Sequence, residues 1–200
     1  MPELRKSDVD PDPLEQFRRW YGEAEEAGLK APQAMALATS TADGAPSVRM
    51  VLLKGADERG FVFFTGYVSR KAAELDANPL AALLFHWDRL GRQVRIEGRV
   101  ERVARQESDA YFATRPRGAK LAAAASRQSS VLRDRAEIDE RVAELDREHA
   151  DSEVRRPEHW GGYRLVPETY EFWQHRDDRM HDRLRYRRSN GDWVVDRLSP

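Results

Sequence analysis

The chain of 200 residues carries 34 basic and 35 acidic side chains, a net charge of −1, with 40% hydrophobic and 34% charged residues. That length suits one domain with a sizeable core. The near-neutral balance argues against a general nucleic-acid binder, and no apolar run approaches the ~20 residues that a membrane-spanning helix needs. The absence of cysteine excludes disulfides, thiolate-held zinc, iron–sulfur clusters and thiol catalysis, and fits a cytoplasmic protein.

Residues 1–13 are rich in Asp and Pro and lack the apolar stretch of a secretory signal, so they are expected to form a flexible arm ahead of a single domain over 14–200. A helix is predicted from Leu14 to Ala27, with Leu14, Phe17, Tyr21 and Ala24 on one face and Gly28 ending it. Strands follow over Ala34–Thr39 and Val48–Lys54, joined by an Asp43-Gly44 hairpin turn. Gly55–Gly60 reads as a turn and Phe61–Thr65 as a third strand. Ser69 can cap a short helix over Arg70–Ala77, stopped by Pro79. Ala81–His86 and Gln93–Val103 are strands, the second showing the period-2 alternation of a half-buried one. Helices are predicted over Gln106–Thr114, Arg117–Ala125 and Glu137–His149, and strands over Gly162–Leu165, Thr169–Gln174, Arg179–Arg188 and Trp193–Arg197. This order lacks the alternation of a doubly wound fold and points to a mainly β, α+β protein: an antiparallel barrel with attached helices.

Five groups of residues bear on chemistry. Arg179, His181 and Arg183, spaced by two in a predicted strand, would share a face and need an anion or carboxylates opposite; a charge-studded edge strand would show the same pattern. Arg49 and Lys54 flank a strand, and meet one ligand only if Lys54 lies at the strand end or past a bulge. Thr65 to Lys71 leads into a helix whose first turn holds Ser69, Arg70 and Lys71. Two cations there oppose the helix dipole, which a bound phosphate would resolve. Tyr111 and Arg115 lie one helical turn apart, and Gln128-Ser129 adds polar hydrogen-bonding groups. The chain has no nucleophile elbow, no metal-binding histidine spacing and no GxGxxG or P-loop motif. By themselves, the residues describe a β-barrel with several anion-binding clusters, for one or two phosphorylated ligands.

Taken in order, Arg49-Met-Val-Leu-Leu-Lys54, Phe64-Thr65, Ser69-Arg70-Lys71, Arg92-Gln93-Val94, Tyr111-Phe112, Arg115-Pro116-Arg117, Gln128-Ser129-Ser130, Trp160-Gly161-Gly162-Tyr163, Glu171-Phe172-Trp173-Gln174, Arg179-Met180-His181-Asp182-Arg183 and the terminal Asp196-Arg197-Leu198-Ser199-Pro200 resemble the pyridoxamine/pyridoxine 5'-phosphate oxidases. The resemblance implies a split β-barrel and a homodimer with flavin mononucleotide (FMN) between the subunits. It implies oxidation of pyridoxamine or pyridoxine 5'-phosphate to pyridoxal 5'-phosphate, with O2 as acceptor and H2O2 as by-product. By position, Arg49, Arg70, Lys71, Gln128 and Ser129 would hold the FMN phosphate and ribityl chain, with Gln93, Phe64 and Thr65 along the flavin. Trp173 and Arg183 would reach the FMN of the other subunit. Lys54, Tyr111 and Arg115 would grip the substrate phosphate, and Arg179 and His181 would cover the pyridine ring. The sequence departs from the family at Ala119, where a serine is usual, and at His175-Arg176, where small residues are common. Relatives in phenazine biosynthesis, which oxidise a tricyclic substrate on the same fold, supply the alternative reading.

Overall fold

Among the residues described by the computed structural model, 3–200, nine strands join into one antiparallel sheet that curls until it closes. The strands are β1 (Ala34–Ser40), β2 (Pro46–Leu52), β3 (Gly55–Asp57), β4 (Gly60–Gly66), β5 (Leu80–Trp87), β6 (Arg92–Arg102), β7 (Trp160–Gln174), β8 (Asp182–Ser189) and β9 (Asp192–Arg197). The helices are α1 (Pro13–Glu26), α2 (Arg70–Ala77), α3 (Arg105–Ala113), α4 (Arg117–Ala125) and α5 (Arg135–Glu148). Pairing runs β2-β1-β5-β6-β7-β4-β3. Closure follows because β2 and β3 are one stretch of chain: Leu53 N–H donates to Gln33 O at 2.9 Å and Lys54 N–H donates to Val62 O at 2.8 Å. The expected barrel with attached helices is therefore present.

The barrel splits along β7. Residues 160–165 of β7 pair with β4, whereas residues 169–174 pair with β8, which carries β9 as a hairpin. Pro167 makes this stretch read as two strands in sequence, because proline cannot donate to a ladder. The structure keeps one strand by placing Pro167 opposite Gly98, where β6 shifts register after Glu97. A Cβ on Gly98 would come within 2.0 Å of Val166 O, so only glycine allows the strands to pass this closely. The predicted turn over Gly55–Gly60 also differs: its first three residues pair with β4 as β3.

The main core draws on residues from Leu4 to Tyr186. From α1, Leu14, Phe17, Trp20 and Ala24 are buried, and Tyr21 lies half-buried beside them. Phe17 meets Phe61 edge-on at 4.9 Å and Phe85 at 5.0 Å; Trp20 meets Phe172 edge-on at 5.2 Å. One helix thus ties β4, β5 and β7 together through aromatic contacts. Asp12 caps α1 by accepting from Leu14 N–H, and Pro13 occupies its first turn.

The flexible-arm expectation is corrected over residues 3–13; Met1 and Pro2 lie outside the described residues. Leu4 is buried and its N–H donates to Asp182 Oδ2 at 3.0 Å, while Arg197 Nη2 donates to Leu4 O at 2.6 Å. Tyr186 Oη donates to Asp10 O at 2.6 Å. Polar composition suggested mobility, but these long-range partners satisfy the backbone and dock it on the β8–β9 hairpin.

Candidate active site

Helix α2 starts with Ser69 as its cap and has no acidic residue in its first turn, only Arg70 and Lys71. Both cations oppose the helix dipole. The compensation lies one turn on, at Glu74, a buried residue. Its carboxylate accepts from Arg70 Nε at 2.7 Å, Arg49 Nη2 at 2.9 Å and Ser47 Oγ at 3.0 Å, and from Thr39 Oγ1. Burial alone would raise the Glu74 carboxyl, but the hydrogen bonds from Thr39, Arg70, Ser47 and Arg49 outweigh it and bring it down to about 2.

Lys71 is buried, and its bonded acceptors are neutral: Gln128 Oε1 at 3.0 Å, Thr65 Oγ1 at 3.1 Å and Ser69 Oγ at 3.3 Å. Burial first and Arg49 second lower the Lys71 ammonium pKa, against an upward pull from Glu74. Gln128 Oε1 also accepts from Thr65 Oγ1 at 2.8 Å and Gly66 N–H at 3.3 Å. Ser129 sits at φ 75°, and its Oγ accepts from Arg70 N–H at 3.2 Å. Arg49, Arg70, Lys71, Thr65, Gln128 and Ser129, separated in sequence, therefore form one cluster. It has three cations to one carboxylate, a surplus suited to a dianion.

A second cluster lies along the same groove, which has a volume of about 1080 Å³ and is lined by Arg49, Lys54, Phe64, Thr65, Arg70, Lys71, Tyr111, Arg115, Gln128 and Ser129 among others. Phe64 stacks on Tyr111 at 4.0 Å and on Trp160 at 5.4 Å, giving an aromatic wall. Arg115 lies over the Trp160 ring at 4.5 Å, and Lys54 Nζ is 5.9 Å from the Tyr111 ring centroid. Among the described residues, Nη1 of Arg115 is buried without a hydrogen-bond partner, and burial lowers its guanidinium pKa, with Tyr111 opposing. Lys54 reaches the same groove as Arg49 because β2 ends at Leu52, so strand alternation no longer governs it.

Gln93, Trp173, Arg179, His181 and Arg183 do not line this groove. Gln93 pairs with Trp173 across β6–β7, and Trp173 pairs with Arg183 across β7–β8. The Trp173 and His181 rings are 4.6 Å apart, and His175 lies 5.2 Å from His181. Arg183 Nε donates to the buried Glu171 at 2.8 Å, and its Nη1 donates to Ser199 O at 2.9 Å. The expected shared strand face is corrected, because β8 begins only at Asp182. Arg179 sits in a turn at φ 64°, where its N–H donates to Arg176 O and Asp178 Oδ1 accepts from Met180 N–H. Alternating charge mimicked a strand where aspartates make a turn. His181 Nδ1 accepts from Arg176 N–H at 3.1 Å, so a neutral ring carries its proton on Nε2.

Glu74 escapes the sequence reading altogether, Trp160 and Glu171 stand in the family-like motifs but gain no site role from them, and His175 stands out only as a departure from the family. Glu74 had one local signal, its i,i+4 spacing from Arg70. Trp160 had none, since its partners come from β4 and α3.

A closed antiparallel barrel with a split end, bearing a cationic groove walled by stacked aromatics, defines a split-barrel protein whose groove suits anionic ligands. Residues 22–147 match the family described as pyridoxamine 5'-phosphate oxidase, and residues 160–200 match the pyridoxine 5'-phosphate oxidase C-terminal dimerisation region. The chain belongs to the pyridoxamine 5'-phosphate oxidase family. It is 56% identical to the pyridoxine/pyridoxamine 5'-phosphate oxidase of Rubrobacter xylanophilus, covering 98% of this chain and 91% of the relative. It is 55% identical to the protein of the same name from Salinibacter ruber, covering 99% and 94%. Among solved structures, PhzG from Burkholderia lata, in complex with tetrahydrophenazine-1-carboxylic acid, superposes with a TM-score of 0.92 at 35% identity, covering 98% of both chains.

Proposed function

We propose that this chain is an FMN-dependent oxidase that converts pyridoxamine or pyridoxine 5'-phosphate to pyridoxal 5'-phosphate in the cytoplasm, using O2, releasing H2O2, and working as a homodimer. One observation carries the reading: a single groove holds two cationic clusters with an aromatic wall beside them, Arg49/Arg70/Lys71 and Lys54/Tyr111/Arg115. That arrangement fits one phosphorylated planar cofactor and one phosphorylated aromatic substrate.

The residues present fit FMN. Lys71 faces neutral oxygens, and among the described residues the terminal nitrogens of Arg70 have no hydrogen-bond partner once its Nε is held by Glu74. FMN, when bound, supplies a two-electron acceptor that takes a hydride and passes electrons to oxygen. The protein binds and orients. Arg49, Arg70, Lys71, Gln128 and Ser129 hold the cofactor phosphate and its chain, while Phe64 and Thr65 lie along the ring. Lys54, Tyr111 and Arg115 fix the substrate phosphate, and the buried, unpartnered Nη1 of Arg115 is a donor awaiting an anion.

Gln93, Trp173, Arg179, His181 and Arg183 lie outside their own chain's groove, and four of them (Trp173, Arg179, His181 and Arg183) fall within the residues matched to the dimerisation region, at its β7–β8 edge. In a homodimer they would complete the partner's groove: Trp173 and Arg183 against the flavin, Arg179 and His181 over the pyridine ring. His181 would present Nε2–H to the substrate.

The PhzG likeness favours a second reading, oxidation of another reduced aromatic. Lys54, Tyr111 and Arg115 oppose it, because a carboxylated tricycle needs no three-point phosphate grip. The test is the purified protein itself. It should be yellow, release one flavin per chain on denaturation, and produce peroxide with pyridoxine 5'-phosphate but not with unphosphorylated pyridoxine at the same concentration. Colourless protein, or equal turnover of both compounds, refutes the proposal.

A further inference from the structure

One buried ionised group that accepts four hydrogen bonds near the groove does not line it. Glu74 stands behind the wall, whereas Ser47, Arg49 and Arg70 face the cavity. It joins β1, β2 and α2 at one carboxylate, through Thr39, Ser47 with Arg49, and Arg70. Arg49 is pinned further by Nη1 donating to Leu37 O at 3.0 Å and Thr39 Oγ1 at 2.6 Å, so its guanidinium has little freedom left. Arg70 is different: its side chain is 64% exposed, and Nε to Glu74 is its one side-chain ion pair among the described residues. Losing that contact frees a long side chain.

We propose that Glu74 is a positioning residue for anion recognition: one buried carboxylate holds Arg49 and Arg70 at the spacing and orientation that receive the phosphate of the cofactor. The inference rests on the reading of this groove as an FMN site and adds the device that pre-organises it. Removing a negative charge would by itself favour an anion. That charge, however, is already paired with two guanidiniums within 2.9 Å, so its field in the groove is small and its geometric effect dominates. A glutamine would also aim an NH2 donor into a ring of donors.

The experiment uses the full-length chain, freed of flavin and titrated with FMN and with riboflavin while flavin fluorescence is followed. Riboflavin lacks the phosphate, so the ratio of the two affinities isolates phosphate recognition. Glu74→Gln should weaken FMN roughly 10- to 30-fold, from re-ordering one long side chain and losing charge-assisted contacts, with riboflavin unchanged. Glu74→Asp should recover part of the loss. An unchanged ratio, tighter FMN binding, or equal weakening of both flavins overturns the inference; the last would make Glu74 a purely structural residue. If Glu74→Gln does not fold, Thr39→Val serves: outside the groove it removes the hydroxyl that donates to Glu74 and accepts from Arg49 Nη1, and it should shrink the ratio by about threefold or more, the size of one to two hydrogen bonds. No change would again overturn the inference. A wild-type chain that binds neither flavin would instead sink the FMN reading itself, and the role of Glu74 with it.

Discussion

Arg115 offers a test in which stability and binding should move in different directions. Its Nη1 is buried without a partner, while its guanidinium lies 4.5 Å from the Trp160 ring. An unpaired buried donor costs about 1–3 kcal/mol, and a cation over an aromatic face returns about 0.5–2 kcal/mol. Arg115→Met keeps the length, removes the stranded donor and leaves an apolar chain against Trp160. The ligand-free protein should therefore keep its stability or gain about 1 kcal/mol, read from the urea midpoint at unchanged slope. Substrate binding should suffer, because a charge-assisted contact to phosphate is worth roughly 1.5–3 kcal/mol. KM for pyridoxine 5'-phosphate should rise about 10- to 150-fold in a steady-state peroxide assay, with flavin content unchanged. A midpoint that falls by the equivalent of about 2 kcal/mol with an unchanged KM would show that Arg115 holds the fold rather than the substrate.

Three further outcomes follow from the same geometry. Hydrogen bonds hold the folded Glu74 carboxyl at about 2 against an ordinary 4.5, so its contribution is complete above about 4.5 and is lost as pH falls toward 2; the urea-stability advantage of wild type over Glu74→Gln should shrink across that window, and a constant difference would contradict the assigned hydrogen bonds. Co-expressing Arg115→Met with Arg179→Leu, each nearly inactive alone at sub-saturating substrate, should restore about a quarter of wild-type turnover under those conditions, because mixed two-fold dimers carry one intact site; no recovery would mean that one chain supplies both residues to each site. Ala119 lines the groove near Arg115, so Ala119→Ser should lower KM by adding a hydrogen bond worth about 0.5–1.5 kcal/mol, whereas a higher KM would show that the backbone has settled around alanine.

Local signals were legible where local physics decides. Ser69 as a cap, two cations in the first turn and Pro79 beyond placed α2 at Arg70–Ala77 and marked its start as an anion site. Ten of the fifteen residues expected at the site line one groove, because the barrel turns their motifs toward the same side. What escaped was nonlocal. Glu74 meets Thr39, Ser47 and Arg49 from other elements, and no spacing within α2 announces them. Pro167 looked like a strand break because its partner Gly98 lies far away in sequence. Arg179 was misassigned because alternating charge resembles an edge strand, whereas the turn depends on hydrogen bonds to Arg176 and Asp178.

The docking of Leu4 has a practical consequence. Asp182 accepts from Leu4 N–H at 3.0 Å and from Arg197 Nη1 at 2.7 Å, so the two described ends of the chain meet at one carboxylate. Ends this close can be joined by a short Gly/Ser linker without stretching the fold. The exposed turn at Ala150–Asp151, between α5 and β7, would then serve as the new opening. In such a circular permutant, β7, β8, β9 and α1 follow one another without interruption. The split end and the segment docked on it become one continuous leading unit, leaving residues 34–148, which carry all of the groove lining but Trp160, to follow.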